Sequence, residues 1–299
     1  MKQRKTFLFV LAGLLTLSLL AATVGCQQET ATPTEATTEE PTEEETTAPD
    51  DVEGNLSLAG STTVQPLAQA LADAYMAQNA NVTIDVGGGG SSTGVTSAGE
   101  DTVDIGMASR NIKDSEFEEF PDLQVHTIAF DGIAIVTHPD IELESLTVEQ
   151  VQSIFAGEIT NFSEVGGPDA EIFVVSREEG SGTRGAFEEL VMEHGGEEKL
   201  ITADANLQSS NGAVRTVVAE TENTIGYLSF GFLDGSVNPV PIDGVAAEVE
   251  NVVNDTYPIY RPLNMVTNGP ANELAQAFLD FIMGEEGQAI VAEDYIPVQ

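Results

Sequence analysis

Ile172-Phe173-Val174-Val175-Ser176-Arg177-Glu178-Glu179-Gly180-Ser181-Gly182-Thr183-Arg184-Gly185-Ala186-Phe187 begins as a short apolar run, passes Arg177 and a Gly-Ser-Gly-Thr turn, and enters a helix-like segment from Ala186 to Met192. Strand, glycine-rich turn and helix in that order are the repeating step of an α/β protein. The same alternation recurs upstream: apolar, β-branched runs at Leu56 to Leu58, Val82 to Val86, Val103 to Met107 and Ile133 to Thr137 are separated by segments of helical period. Val64, Leu67, Ala68, Leu71 and Tyr75 have i, i+3, i+4, i+7 spacing after a Ser-Thr-Thr start signal, which predicts a helix. The predicted class is α/β with mainly parallel sheets, and no internal repeat is visible.

In such sheets small ligands sit at strand-to-helix turns, outside the carboxyl ends of the strands. Three turns have suitable chemistry: Gly60-Ser61-Thr62-Thr63-Val64, the glycine run from Gly87 to Gly94 with Ser91 and Ser92, and the turn quoted above. Each couples glycines, which let backbone approach a ligand, to hydroxyls that cap a helix or donate to an oxygen. Singly, Ser61 to Thr63 reads as an ordinary N-cap and the glycine run as a flexible turn. Arg177 and Arg184 make the third turn an oxyanion candidate, since a guanidinium fork matches oxyanion geometry. Arg184 has a competing reading, an i,i+4 ion pair with Glu188.

These cations are conspicuous because the chain has 10 Lys and Arg against 50 Asp and Glu, a formal charge of -40. Nucleic acid and anionic membrane surfaces are therefore poor partners. An acid excess with so few lysines predicts a saline setting; at about 1 M salt the Debye length is near 3 Å, so anion recognition would depend on contact groups. At the N-terminus, Lys2, Arg4 and Lys5 precede an apolar run from Phe7 to Ala22 and Thr23-Val24-Gly25-Cys26. That pattern predicts a lipoprotein signal peptide over 1–25, with Cys26 as the lipidated residue; an uncleaved membrane anchor is the alternative. Residues 26–54 are almost entirely Thr, Glu, Pro, Ala and Asp, which predicts a disordered acidic tether. Cys26 is the sole cysteine, so no disulfide is expected.

Catalytic patterns are weak. Ser181 lies in Gly-Ser-Gly and not in a Gly-x-Ser-x-Gly elbow, and His126, His138 and His194 suggest no triad. Three isolated histidines predict no metal site, and nothing predicts a cofactor.

Taken in order, several pieces resemble the phosphate-binding proteins of bacterial phosphate ABC transporters, the PstS family. They include Gly60 to Leu67, the glycine run to Gly94, Val103 to Arg110, Ala129-Phe130-Asp131-Gly132, Arg177 to Phe187, Ser210 to Val214 and the segment from Phe278 to Ile282. The resemblance implies a two-lobed type II periplasmic-binding fold with the ligand cleft between the lobes. Lobe 1 would span 55–132 plus 259–299 and lobe 2 would span 133–258, with crossings near Ile133 to Val136 and Pro258 to Pro262. It implies phosphate contacts at Ser61, Thr62, Thr63, Ser91, Arg177, Ser181, Gly182 and Thr183. Some members carry an Asp where Arg110 stands, as acceptor of the phosphate proton; Asp131 is the substitute candidate, with Arg110 as an accessory. The implied function is a non-enzymatic, monomeric receptor, anchored outside the cytoplasmic membrane by lipid at Cys26, that delivers phosphate to an ABC permease. A receptor for sulfate or another tetrahedral oxyanion, and a secreted phosphoesterase using Ser181, are the alternatives.

Overall fold

The computed structural model describes residues 53–298; the predicted signal peptide, Cys26 and nearly all of the predicted tether lie outside the described residues. The described residues form ten strands: β1 (Gly54–Gly60), β2 (Val82–Gly89), β3 (Ile105–Ala108), β4 (Leu123–Thr137), β5 (Phe173–Arg177), β6 (Asn206–Gln208), β7 (Thr224–Ser229), β8 (Asn238–Pro239), β9 (Tyr260–Asn268) and β10 (Ile296–Pro297). The helices are α1 (Val64–Gln78), α2 (Ser91–Gly99), α3 (Asp114–Glu119), α4 (Val148–Phe155), α5 (Gly182–Phe187), α6 (Asn211–Glu220), α7 (Val249–Val253), α8 (Glu273–Met283) and α9 (Glu285–Asp294). The tether boundary shifts slightly, because Gly54 already pairs with Val82 as the first residue of β1.

The strand order is β2-β1-β3-β9-β4-β7-β5-β6. Both ends of this order are parallel, as βαβ connections require: β1 with β2 and β3, and β5 with β6 and β7. The middle corrects the expectation of mainly parallel sheets. β9 runs antiparallel to both β3 and β4, and β4 antiparallel to β7. The cause is connectivity: β4 carries the chain from one parallel half into the other and β9 carries it back, so the two must run in opposite directions.

Buried apolar side chains fall into two main clusters. One spans Leu56 to Ala129 and resumes from Leu263 to Tyr295; the other spans Ile133 to Ile259 and includes Ile296. Membership changes along β4 between Ala129 and Ile133, and at the entrance to β9 between Ile259 and Leu263. In the first cluster α1 buries Val64, Leu67, Ala68, Leu71, Ala72 and Tyr75, and the Tyr75 ring packs edge-on against Phe278 and Phe281 at 5.4 and 5.3 Å. In the second, Phe187 stacks on Tyr227 with ring centroids 4.1 Å apart, and Phe155 packs edge-on against Phe187.

Glycines set how closely α2 approaches the sheet. A Cβ at Gly94 would lie 2.5 Å from the Met107 carbonyl oxygen and 2.9 Å from both the Ala59 carbonyl oxygen and the Gly60 Cα. All three neighbours are backbone of β1 or β3 and cannot step aside. Gly94→Ala should therefore destabilise the protein by about 1–3 kcal/mol, the usual cost of overpacking, read as a lower urea midpoint; an unchanged midpoint would show that α2 can lift away freely.

Candidate anion-binding site

Three strand-to-helix turns meet where β4 and β9 pass between the two cores. The first follows β1. Ser61 Oγ accepts from the backbone N–H groups of Thr63 (3.2 Å) and Val64 (3.3 Å), so it caps α1, and it donates to Ser109 Oγ at 2.8 Å. The N-cap reading of this turn holds for Ser61, yet the same hydroxyl also ties the turn to the end of β3. Thr63 is free of capping duty: its Oγ1 receives Asn211 Nδ2 at 2.8 Å and lies 3.1 Å from Thr183 Oγ1. Its carbonyl accepts from the Tyr295 hydroxyl at 3.0 Å.

The glycine run is less of a turn than expected. Gly87, Gly88 and Gly89 continue β2, and only Gly90 separates the strand from α2. Gly90 has φ +91°, and a Cβ there would lie 2.9 Å from the Gly180 carbonyl oxygen. The next turn thus touches this one, and Ser92 N–H donates to Gly180 O at 3.1 Å. Ser91 begins α2 and accepts from Ser109 N–H at 3.0 Å.

The third turn joins β5 to α5. Its helix starts earlier than the sequence suggested, at Gly182, because Ser181 Oγ accepts from Arg184 N–H at 3.3 Å and acts as the N-cap. After Phe187 the helix loosens into a π-helical turn, Glu188–Met192. Gly182 packs against Ser91 Oγ and Ser109 Oγ so closely that any side chain there would overlap both. Arg177, the last residue of β5, is held from behind by the aromatic core. Its N–H donates to the Tyr227 hydroxyl at 3.2 Å, and burial pushes that phenol up to about 12, so it stays protonated and can donate to Ser176 Oγ at 2.8 Å. The Arg177 guanidinium, 1% exposed, contacts Glu178 through Nε and Nη2 at 3.0 Å each, Thr62 Oγ1 at 3.1 Å and Thr183 Oγ1 at 3.4 Å.

The expected contact residues thus come together in part by direct bonds. Thr62, Thr63, Arg177 and Thr183 share one network, to which Ser61 and Ser91 connect through Ser109 and Arg261, whose Nη1 donates to Ser109 O and Nη2 to Thr63 Oγ1; Gly182 only packs against Ser91 and Ser109. Ser181 serves as a cap, and Arg184 turns to Glu188 at 2.7 Å while Nη1 donates to the Arg177 carbonyl. Burial opposes the charged form of Arg184, but the Glu188 pairing outweighs it and raises its pKa. Arg110 does not reach the network. Its two Nη atoms grip Glu116, at 2.6 and 2.9 Å, and contact Asn111 O and Ser92 Oγ. With Ser92, Lys113, Ser181 and Arg184 it lines a 330 Å³ cavity on the seam between the turns. A larger cavity, 560 Å³ between Ile154, Ile172 and Thr221, lies apart from all the expected contact residues; the chemistry therefore locates the site better than cavity size does.

Asp131 is buried and bound on both oxygens: Arg261 Nε and Nη2 donate to Oδ2 at 3.1 and 2.9 Å, and Ser229 Oγ donates to Oδ1 at 2.9 Å. Desolvation pushes the Asp131 carboxyl up and opposes the Arg261 charge, while each partner's field favours ionisation of the other. Sequence reasoning missed Ser109, Asn211, Ser229 and Arg261. Asn211 lies in the Ser210 to Val214 motif, at the start of α6, where its role was not read; Arg261 carried one available signal, a charge inside the apolar stretch from Ile259 to Leu263.

The assembled site concentrates donors from two guanidinium groups, one amide and several hydroxyls in a buried place. That composition suits a tetrahedral oxyanion. Residues 32–286 match the family model described as a PBP superfamily domain. Phosphate-binding protein PstS of Bacillus subtilis is 35% identical over 248 residues, covering 82% of this chain and 81% of that protein. The chain belongs to the PstS family. PstS of Borreliella burgdorferi is 30% identical over 253 residues, 81% of this chain and 89% of that protein. Among solved structures, a phosphate ABC transporter substrate-binding protein of Clostridium perfringens with bound phosphate superposes with a TM-score of 0.78 at 42% identity, covering 82% of this chain and all of that one. An ABC-type phosphate transport receptor of Vibrio cholerae gives a TM-score of 0.70 at 32% identity, with the same coverage. The PstS-family fold thus supplies the two parallel halves and the antiparallel pair β4 and β9 whose meeting point carries the donor network.

Proposed function

We propose that the protein captures inorganic phosphate outside the cytoplasmic membrane and hands it to an ABC permease for import. The observation that carries this reading is the convergence of Arg177, Thr62, Thr63 and Thr183 from two different turns in one buried network. A phosphate offers acceptors in every direction, and each bond to a neutral donor is worth about 1 kcal/mol net, or about 1.5–3 where charge assists. Eight such bonds, less the cost of association, are compatible with micromolar binding, about -8 kcal/mol. The proposed contacts are Ser61, Thr62, Thr63, Ser91, Arg177, Ser181, Gly182 and Thr183, joined by Asn211, with Asp131 as acceptor of the ligand's proton.

In this proposal the segments 55–132 plus 259–299 and 133–258 act as lobes that close on the ligand, flexing where β4 and β9 pass between the cores. The protein works as a monomer, held at the membrane by lipid on Cys26 with 27–53 as a spacer. A phosphoesterase is disfavoured because the Ser181 hydroxyl accepts a backbone N–H as a helix cap and, among the described residues, is bonded to no imidazole or carboxylate. Titration calorimetry with phosphate, and competition with sulfate at equal concentration, tests the reading. Saturable phosphate binding that sulfate fails to displace supports it; absence of phosphate binding, or equal displacement by sulfate, overturns it.

A further inference from the structure

The segment after α8 reaches back to the first turn of the site. β10 pairs antiparallel with β4, which sets Ile296 beside Phe130 and Pro297 beside Ala129. Gln288 of α9 ties this return down: Nε2 donates to Ile282 O at 3.0 Å and to Ile128 O at 3.1 Å, and Oε1 accepts from Val298 N–H at 2.9 Å. Tyr295 stands between these ties, 5% exposed. A tyrosine buried so fully needs a partner for its hydroxyl, and this one donates to the Thr63 carbonyl at 3.0 Å. Burial raises the pKa of the phenol, so it stays protonated and keeps that donor.

Thr63 is the residue through which the first turn meets the rest of the site. Its Oγ1 accepts from Asn211 Nδ2 at 2.8 Å and from Arg261 Nη2 at 3.3 Å, and Thr183 Oγ1 lies 3.1 Å away. A hydroxyl has two lone pairs and one proton. With both lone pairs occupied, the Thr63 proton is left for Thr183 Oγ1, so this link between the first and third turns depends on which way Thr63 faces. The carbonyl and the side chain hang from the same backbone, and a β-branched side chain is restricted about χ1. Fixing the carbonyl therefore fixes the hydroxyl.

The other side of the ring meets the second lobe. Tyr295 packs in the first apolar cluster, whereas Gly231, just past β7, lies in 133–258. A Cβ at Gly231 would lie 2.9 Å from Tyr295 Cζ and 3.0 Å from its hydroxyl oxygen. Gly231 has no positive φ, so it is the ring, and not backbone strain, that opposes a side chain there. Ser229, two residues earlier, and the charges of Asp131 and Arg261 also act on this phenol. We infer that Tyr295 is a positioning residue for phosphate capture: its hydroxyl turns Thr63 toward the third turn, and its ring seats on Gly231 when the two lobes are together. The inference rests on the phosphate reading above and assigns the C-terminal segment a part in it.

The test is phosphate calorimetry on the wild type, Tyr295→Phe, Gly231→Ala and the double variant, each below its melting transition, with tyrosine emission recorded in parallel. The chain has five Tyr and no Trp, so its intrinsic emission comes from tyrosine. Tyr295→Phe keeps the ring and deletes the bond to Thr63; it should weaken phosphate binding by about threefold or more and shrink the emission change that phosphate produces. Gly231→Ala pushes the ring aside and should weaken binding by a similar factor, yet add little in the Tyr295→Phe background, where the Thr63 contact is already gone. A tyrosine that only filled the core would lower the melting temperature of the variants and leave the affinity of the folded protein unchanged. A smaller loss of affinity in folded Tyr295→Phe, an undiminished emission change, or full additivity of the two substitutions overturns the inference. Should Tyr295→Phe fail to fold, Gly231→Ala decides on affinity alone: a loss of about threefold or more supports the inference and a smaller one overturns it. Failure of the wild type to bind phosphate would overturn both this inference and the function it rests on, whereas phosphate binding indifferent to both substitutions overturns this inference alone.

Discussion

Arg177→Ala should weaken phosphate binding by about 100-fold or more, which corresponds to about 3 kcal/mol, while leaving the protein folded. Among the described residues the guanidinium is the group that touches both Thr62 of the first turn and Thr183 of the third, so its loss removes charge-assisted donors and one of the links between the turns together. Such bonds are worth about 1.5–3 kcal/mol each. The fold should survive because the charged partner left behind, Glu178, has a side chain 34% exposed and can be solvated once its cation is gone, while the other acceptors, the Gln208 and Ser209 carbonyls among them, are neutral. Arg177→Lys should fall between, since an ammonium keeps the charge and loses the two-pronged geometry. Calorimetry reads the affinity and a thermal melt reads the fold. Affinity within threefold of the wild type would remove Arg177 from the site.

Asp131→Ala should have its largest effect on stability. Its removal strands Arg261 as an unpaired cation at 2% exposure, and breaking a buried pair in this way costs about 3–5 kcal/mol. In a folded region of this size that lowers the melting temperature by roughly 10 °C. The reciprocal change is milder in principle, because a lone Asp131 can neutralise itself by taking a proton whereas Arg261 cannot shed one. The double variant Asp131→Leu with Arg261→Met should recover much of the lost stability, since an apolar pair avoids the desolvation of both charges. A single variant that melts within two degrees of the wild type would show that water reaches Arg261 when its partner is gone.

The two profiles explain which parts of the site were legible in the sequence. Ser61 to Thr63 and Arg177 to Thr183 are local: a hydroxyl or a guanidinium within a few residues of a strand end and a helix start is placed by that turn wherever the rest of the chain goes. The glycine run was legible as chemistry but misread as geometry. Singly its glycines read as a flexible turn, whereas backbone of the third turn presses on Gly90, and backbone of β1 and β3 presses on Gly94. Arg110 stands in a motif of the site, yet its head turns to Glu116, six residues away, because that carboxylate offers it two oxygens within 2.9 Å.

Amino-acid order alone determined the class of structure, the three turns and the oxyanion chemistry, because helical period, β-branched runs and caps are set by neighbours within one or two helical turns. Tertiary structure alone decided that β4 and β9 run antiparallel through the middle of the sheet, and that Asp131 meets Arg261 across 130 residues of sequence. It also decided that Asn211, Ser109 and Ser229 join the site. Their positions follow from where two separately packed cores meet, and a contact between distant segments leaves no local period in the chain that makes it.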